Sequence, residues 1–189
     1  MTPFQYVAPL TSIVIALGIT RILTGLGRTF QMRGSIRTYW VYTLWTGNVF
    51  LWLLLNWWIL YRWRNHESWT FFLFLFVLLS HVIAFLLSVL FLPDSLETGG
   101  DLKHRLFRNS HCFFALAALL PPIDALDTLL RGTAHFQAQG PIYVVTIALL
   151  FVLCVISAVT KSERFHAAFA VFFLFYIMPF ITINLRVWA

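Results

Sequence analysis

Charge is what this chain has least of. Lys, Arg, Asp and Glu make up 11% of its 189 residues, less than half of the roughly 25% found in an ordinary soluble domain. A water-soluble domain is thereby excluded. The net charge of +6 does not mark a nucleic-acid partner, because its cations are scattered over joints a few residues long. Cysteine is limited to Cys112 and Cys154. Both fall in the half of the membrane assigned below to the cytoplasm, where disulfides rarely persist, so they read as small apolar fillers. Also missing are an internal repeat, a low-complexity run, a linker, a Gly-rich phosphate loop and a cluster of His boxes. Repeat architectures and phosphate-loop chemistry lose their basis, and residues 1–189 read as one domain.

What is present is hydrophobic length. The chain is 60% hydrophobic with a mean hydropathy of +0.83, and apolar stretches recur at about 20 residues, the length that crosses a hydrocarbon core of roughly 30 Å. Six spans follow, at 4–29, 38–61, 69–92, 111–130, 141–160 and 165–188. They must be helices: an open sheet would leave unpaired backbone groups in lipid, and the alternation of a barrel strand is missing. The first stretch lacks the basic start and small-residue exit of a cleaved signal peptide. The expected fold is an all-α integral membrane bundle of six transmembrane helices.

Orientation follows from the cations of the short joints. Eight (Arg28, Arg33, Arg37, Lys103, Arg105, Arg108, Lys161 and Arg164) fall on one side and four (Arg62, Arg64, Arg131 and Arg186) on the other. The eight are placed in the cytoplasm, with the N-terminus and C-terminus outside. Trp57, Trp58, Trp63, Trp69 and Trp188 then gather at the outer interface, where indoles are favoured. The longest joint, 93–110, places Leu102, Leu106 and Phe107 among basic residues, a spacing that suits an amphipathic turn on the inner leaflet or a solvated loop.

The stretch "SIVIALGITRILTGLGR", Ser12 to Arg28, carries small residues at Ala16, Gly18, Thr20, Thr24, Gly25 and Gly27. Small residues let a neighbouring helix approach closely, so the first span is expected at the bundle centre or at a subunit contact through Gly18 and Gly25. Arg21 falls near its inner end, where it can snorkel or join a helix contact. With "FQYV" before it, this stretch resembles the N-terminal helix of small bacterial multi-pass inner-membrane proteins of uncharacterised function. The resemblance covers about a tenth of the chain and implies a bacterial inner (plasma) membrane. It brings no site residues with it.

The stretch "LLPPIDALDTLLRG" sets prolines and carboxylates inside the fourth span. A rise of about 1.5 Å per residue puts Pro121 and Pro122 near mid-membrane and Asp124 about 20 Å from the inner edge. Asp127 has Arg131 at i+4, the acid-before-base order of a helix-end ion pair. Asp124 has no such neighbour, and a carboxylate in lipid costs roughly 3 kcal/mol even on lenient scales. It should be protonated and hydrogen-bonded, paired with a cation such as Arg186, or open to water. Asn48, His81 and Thr146 fall in the middle or outer part of their spans, and Pro9 and Pro179 in the outer part of theirs. Prolines free carbonyls that lipid cannot satisfy. The expectation is a bundle packed tightly in its cytoplasmic half and splayed outside, with an outward-open polar cavity lined by Asn48, His81, Pro121, Pro122, Asp124 and Thr146.

Enzyme chemistry finds little support. His81 is the single His well inside a span, so a bis-His haem within one chain fails, though a dimer sharing His81 would supply two. His104, His111, His166 and Cys112 fall near one surface with nothing to fix a metal geometry. Ser80 beside His81 is a sequence neighbour, and an Asp124–Asp127 dyad would come from one helix. No cofactor and no metal site are expected. The residues favour an oligomeric channel or permeation protein for an ion or small solute. Alternatives are a non-catalytic accessory or scaffold subunit and, behind it, a membrane-embedded enzyme acting on lipid. Expected partners are membrane lipids and either further copies of the chain or a membrane protein, with no nucleic acid.

Overall fold

The computed structural model describes residues 3–66, 68–92 and 99–185. All of the regular structure in this range is helical: α1 (Pro3–Gln31), α2 (Trp40–Leu60), a 3-10 turn (Tyr61–Asn65), α3 (Phe71–Phe91), α4 (Leu102–Ala117), α5 (Leu120–Leu130), α6 (Thr133–Ala138), α7 (Gly140–Val159) and α8 (Glu163–Leu185). Five stretches are long and apolar enough to cross a membrane: Phe4–Gln31, Trp40–Arg64, Phe71–Phe91, Leu102–Leu130 and Gly140–Val159. Arg186 and Trp188 lie outside the described residues.

The helix boundaries differ from expectation where capping chemistry intervenes. The fourth span begins at Leu102 rather than His111, because Asp101 Oδ1 accepts hydrogen bonds from the Lys103 and His104 amides at 2.8 and 3.3 Å, satisfying orphan donors of the first turn. The basic segment is therefore the first turns of α4, with Leu102, Leu106, Ser110, Phe113 and Phe114 buried in the bundle, and not a turn lying on a leaflet. Pro121 and Pro122 open α5 in its first turn, where a missing N–H costs least. The α4–α5 break removes the bonds that their nitrogens would have made to the Ala117 and Ala118 carbonyls. Pro9, by contrast, lies inside an unbroken α1.

α2, and not α1, is the central helix: it packs against α1, α3, α4 and α8. α1 stands at the periphery and buries one stripe, Val7, Thr11, Ile15, Gly18, Ile22 and Gly25, at the i, i+3, i+4 spacing of a single helix face. Its glycines seat close neighbours of the same chain. A Cβ on Gly18 would lie 3.2 Å from Leu53 of α2, and one on Gly25 only 2.7 Å from Leu92 at the end of α3. The first span thus packs closely at the bundle's edge, with Ile13, Leu17 and Leu23 facing outward.

One end of the bundle, here the Arg37 end, is closed by polar ties. The last carbonyls of α3 meet donors from three other helices: Asn109 Nδ2 to Leu90 at 3.4 Å, Tyr42 Oη to Phe91 at 3.0 Å and Arg21 Nη2 to Leu92 at 3.3 Å. Helix C-terminal carbonyls have no intrahelical partner, and a cation there also complements the helix dipole. Residues 35–37 pair with 99–102 through Arg37 N to Gly100 O (2.9 Å), Leu102 N to Arg37 O (3.1 Å) and Gly99 N to Ser35 O (2.7 Å). Gly99, at φ +82°, makes the turn that allows it. Lys103 and Glu163 add an exposed ion pair of 2.6 Å between the starts of α4 and α8.

Candidate functional site

At the other end, named for Trp63, the helices separate. α7 leans on α4 and α5 and barely touches α8. The gap is a cavity of about 450 Å³ between α2, α4, α5, α7 and α8, within the usual range for small-molecule sites. Its long wall is one stripe of α2, from Trp45 through Val49, Trp52 and Leu55 to Ile59, about 21 Å at the helical rise.

The floor is aromatic. The Trp45 indole sits 5.1 Å from Phe114, 5.1 Å from Phe169, 5.8 Å from Phe173 and 6.1 Å from Phe113, mostly edge to face. Such a cluster fills the bundle between this cavity and the Arg37 end. Above it the walls are aliphatic, with Leu150 and Ile177 facing the α2 stripe. Polar groups gather at the upper end: Asp124, Gln139, Tyr143, Thr146 and Tyr176. The cavity is amphipathic along its length, where the sequence suggested a polar one.

Asp124 is held across helices. Tyr143 Oη of α7 donates to its Oδ2 at 2.9 Å and lies 2.8 Å from Thr128 Oγ1, which can donate to it in turn. Arg62 and Arg131 are both within electrostatic reach of the carboxylate. Asp127 forms an ion pair with Arg131 whose partners are only 17% and 10% exposed, and its Oδ1 accepts Trp63 Nε1 at 2.9 Å. The Arg131 guanidinium also covers the Trp63 ring at 5.5 Å, a cation–π arrangement. Trp63 is itself buried, so the 3-10 turn after α2 is tied to the end of α5. The cluster joins two formal positive and two formal negative charges.

The other anticipated residues fall into three groups. Pro121 and Thr146 line the cavity with Asp124, although the Thr146 hydroxyl donates to Ile142 O of its own helix at 2.7 Å. His81 borders a separate void of about 50 Å³ between α2, α3 and α5, shared with Asn56, Ser80, Asp124 and Asp127. Asn48 and Pro122 do not line the cavity. Asn48 is fully buried and donates Nδ2 to Ala170 O of α8 at 2.9 Å, tying α2 to α8, while Pro122 is exposed.

Hydrolase chemistry is not assembled here. Ser80 Oγ lies 3.2 Å from His81 Nδ1, but both point at Val77 O, at 2.7 and 2.6 Å. A ring nitrogen donating to that carbonyl has no lone pair with which to activate the serine. His111 Nδ1 meets Ala158 O and His166 Nε2 meets Thr160 O. Among the described residues no three His, Cys, Asp or Glu side chains come together as a metal site would require.

Sequence reasoning missed Tyr143, Trp63, Arg62, Gln139 and Tyr176. No signal along the chain announces Tyr143, since its partner lies on another helix. Compared with protein-family models, with curated proteins and with solved structures, the chain matches none.

Proposed function

We propose that this chain is a bacterial plasma-membrane protein that holds one amphipathic, lipid-like molecule between α2, α5, α7 and α8. α8 is the sixth span, and the Arg37 end faces the cytoplasm by the balance of cations. The observation that carries the reading is the cavity itself: about 450 Å³, aliphatic and aromatic for most of its length, with its carboxylate, amide and hydroxyl groups gathered toward one end. A molecule with an apolar body and a polar head matches that order. A solvated ion does not, because its path toward the Arg37 end meets the rings around Trp45. An accessory subunit would equally need apolar outer faces, but such a role gives no reason for an amphipathic interior.

The test uses the full chain in nanodiscs. A single-chain amphiphile brominated along its tail should quench the fluorescence of Trp45 and Trp52, which border the cavity. Leu150→Trp, which fills the space, should abolish saturable quenching by that probe. Non-saturable quenching, unchanged by Leu150→Trp, would overturn the reading.

A further inference from the structure

We infer that the head group of the bound molecule is uncharged and carries a hydroxyl, as in a long-chain alcohol or a monoacylglycerol. This rests on the proposed amphiphile-binding role and sharpens it. The groups bordering the upper end are already partly committed: Thr146 donates to its own helix and Tyr143 is shared between Asp124 and Thr128. The Asp124 carboxylate, the Gln139 amide and the Tyr176 hydroxyl are left to meet a head group. A carboxylate accepts, and an amide or a phenol both donates and accepts. A hydroxyl suits them together, giving its proton to Asp124 and its lone pair to Gln139 or Tyr176.

The charges around the site reject the alternatives. An anionic head would face Asp124, and among the described residues no Lys or Arg lines the cavity to pair with it directly. A cationic head would be drawn to Asp124 but would enter the field of Arg62 and Arg131, both of which act on that carboxylate. Among the described residues the charged and titratable groups acting here are Arg62 after α2, Asp124 and Asp127 of α5, Arg131 at its end, His135 of α6, and the neutral phenols of Tyr143 (α7) and Tyr176 (α8). With His135 neutral they sum to zero, so a net charge on the ligand gains nothing from the set as a whole. Burying such a charge without a partner is costly in a low-dielectric site.

The experiment compares four amphiphiles of equal chain length in nanodiscs of neutral lipid: an alkanol, a monoacylglycerol, a fatty acid at pH 8 and an alkyltrimethylammonium. Each competes with the brominated probe for tryptophan quenching. The alkanol and monoacylglycerol should compete at least about tenfold better than either charged probe, a factor worth one step of about 1.4 kcal/mol. Arg62→Gln should raise affinity for the cationic probe, and Asp124→Asn should raise affinity for the fatty acid while retaining the alkanol. If Asp124→Asn does not fold, the Arg62→Gln comparison carries the test. Should a charged probe compete as well as the alkanol, the head-group inference fails and the cavity reading survives. If the brominated probe itself shows no saturable quenching, the cavity reading fails first.

Discussion

The two ends of this bundle solve the same problem in opposite ways. Both must satisfy polar groups at the termini of apolar helices. At the Arg37 end, donors from α1, α2 and α4 converge on the last carbonyls of α3, and rings from α2, α4 and α8 fill the interior beneath them. At the Trp63 end, the polar groups satisfy one another around Asp124 and Asp127, and the space below stays open. Closure at one end holds the helices in place. Opening at the other leaves room for a second molecule, so stability and function are expected to separate along the bundle axis.

The largest test of that separation is at Trp45. Trp45→Ala removes the ring on which four phenylalanines converge, and should cost about 3–5 kcal/mol, the usual range for a large aromatic in a packed core. Ile177→Ala, which removes a smaller buried side chain on the same cavity, should cost about 2–3 kcal/mol, toward the low end of the aliphatic range because one side of it already faces open space. Thermal unfolding in a mild detergent compares the two. Equal losses would mean that the two halves form one cooperative core.

Much of this contrast was legible before the structure, and the part that was not has a common cause. The all-helical class and the positions of most apolar stretches are written in local hydrophobicity, and the Asp127–Arg131 pair in local spacing. The start of α4 lies nine residues before the apolar stretch, because Asp101 caps the basic turn that carries Leu102 and Leu106. Asn48 looked like a cavity residue because it is polar and deep in a span. Its amide instead meets the Ala170 carbonyl, 122 residues away. Tyr143 meets Asp124 at a separation of 19 residues, and Trp63 meets Asp127 at 64. Such pairings depend on how helices rotate against one another, which no single helix encodes.

A smaller effect sharpens the closed side. Gly25→Leu must push against Leu92, 2.7 Å from the position of a new Cβ, whereas Gly27 faces open space. Gly25→Leu should destabilise by about 1–3 kcal/mol through overpacking. Gly27→Leu should be neutral or slightly stabilising, since Gly weakens a helix interior. If unfolding midpoints of both variants match the parent, the close approach of α1 to α3 contributes nothing to stability.

The smallest effect probes the open end, at His135 of α6. Burial, and then the Arg131 and Arg62 guanidinia, hold its pKa below the ordinary imidazole range, which lies near 6.5. The folded chain therefore binds this proton less readily than the unfolded chain does. The linkage sign follows: stability from this group is fully present above about pH 6.5 and declines as pH falls through that value toward the lower folded midpoint. Titration of the His135 ring by NMR should place its midpoint below 6.5. Arg131→Gln should move the midpoint upward by removing the larger electrostatic cause, while Lys103→Gln at the Arg37 end should leave it unchanged. An unshifted midpoint in Arg131→Gln would show that the Arg131 charge does not act on α6.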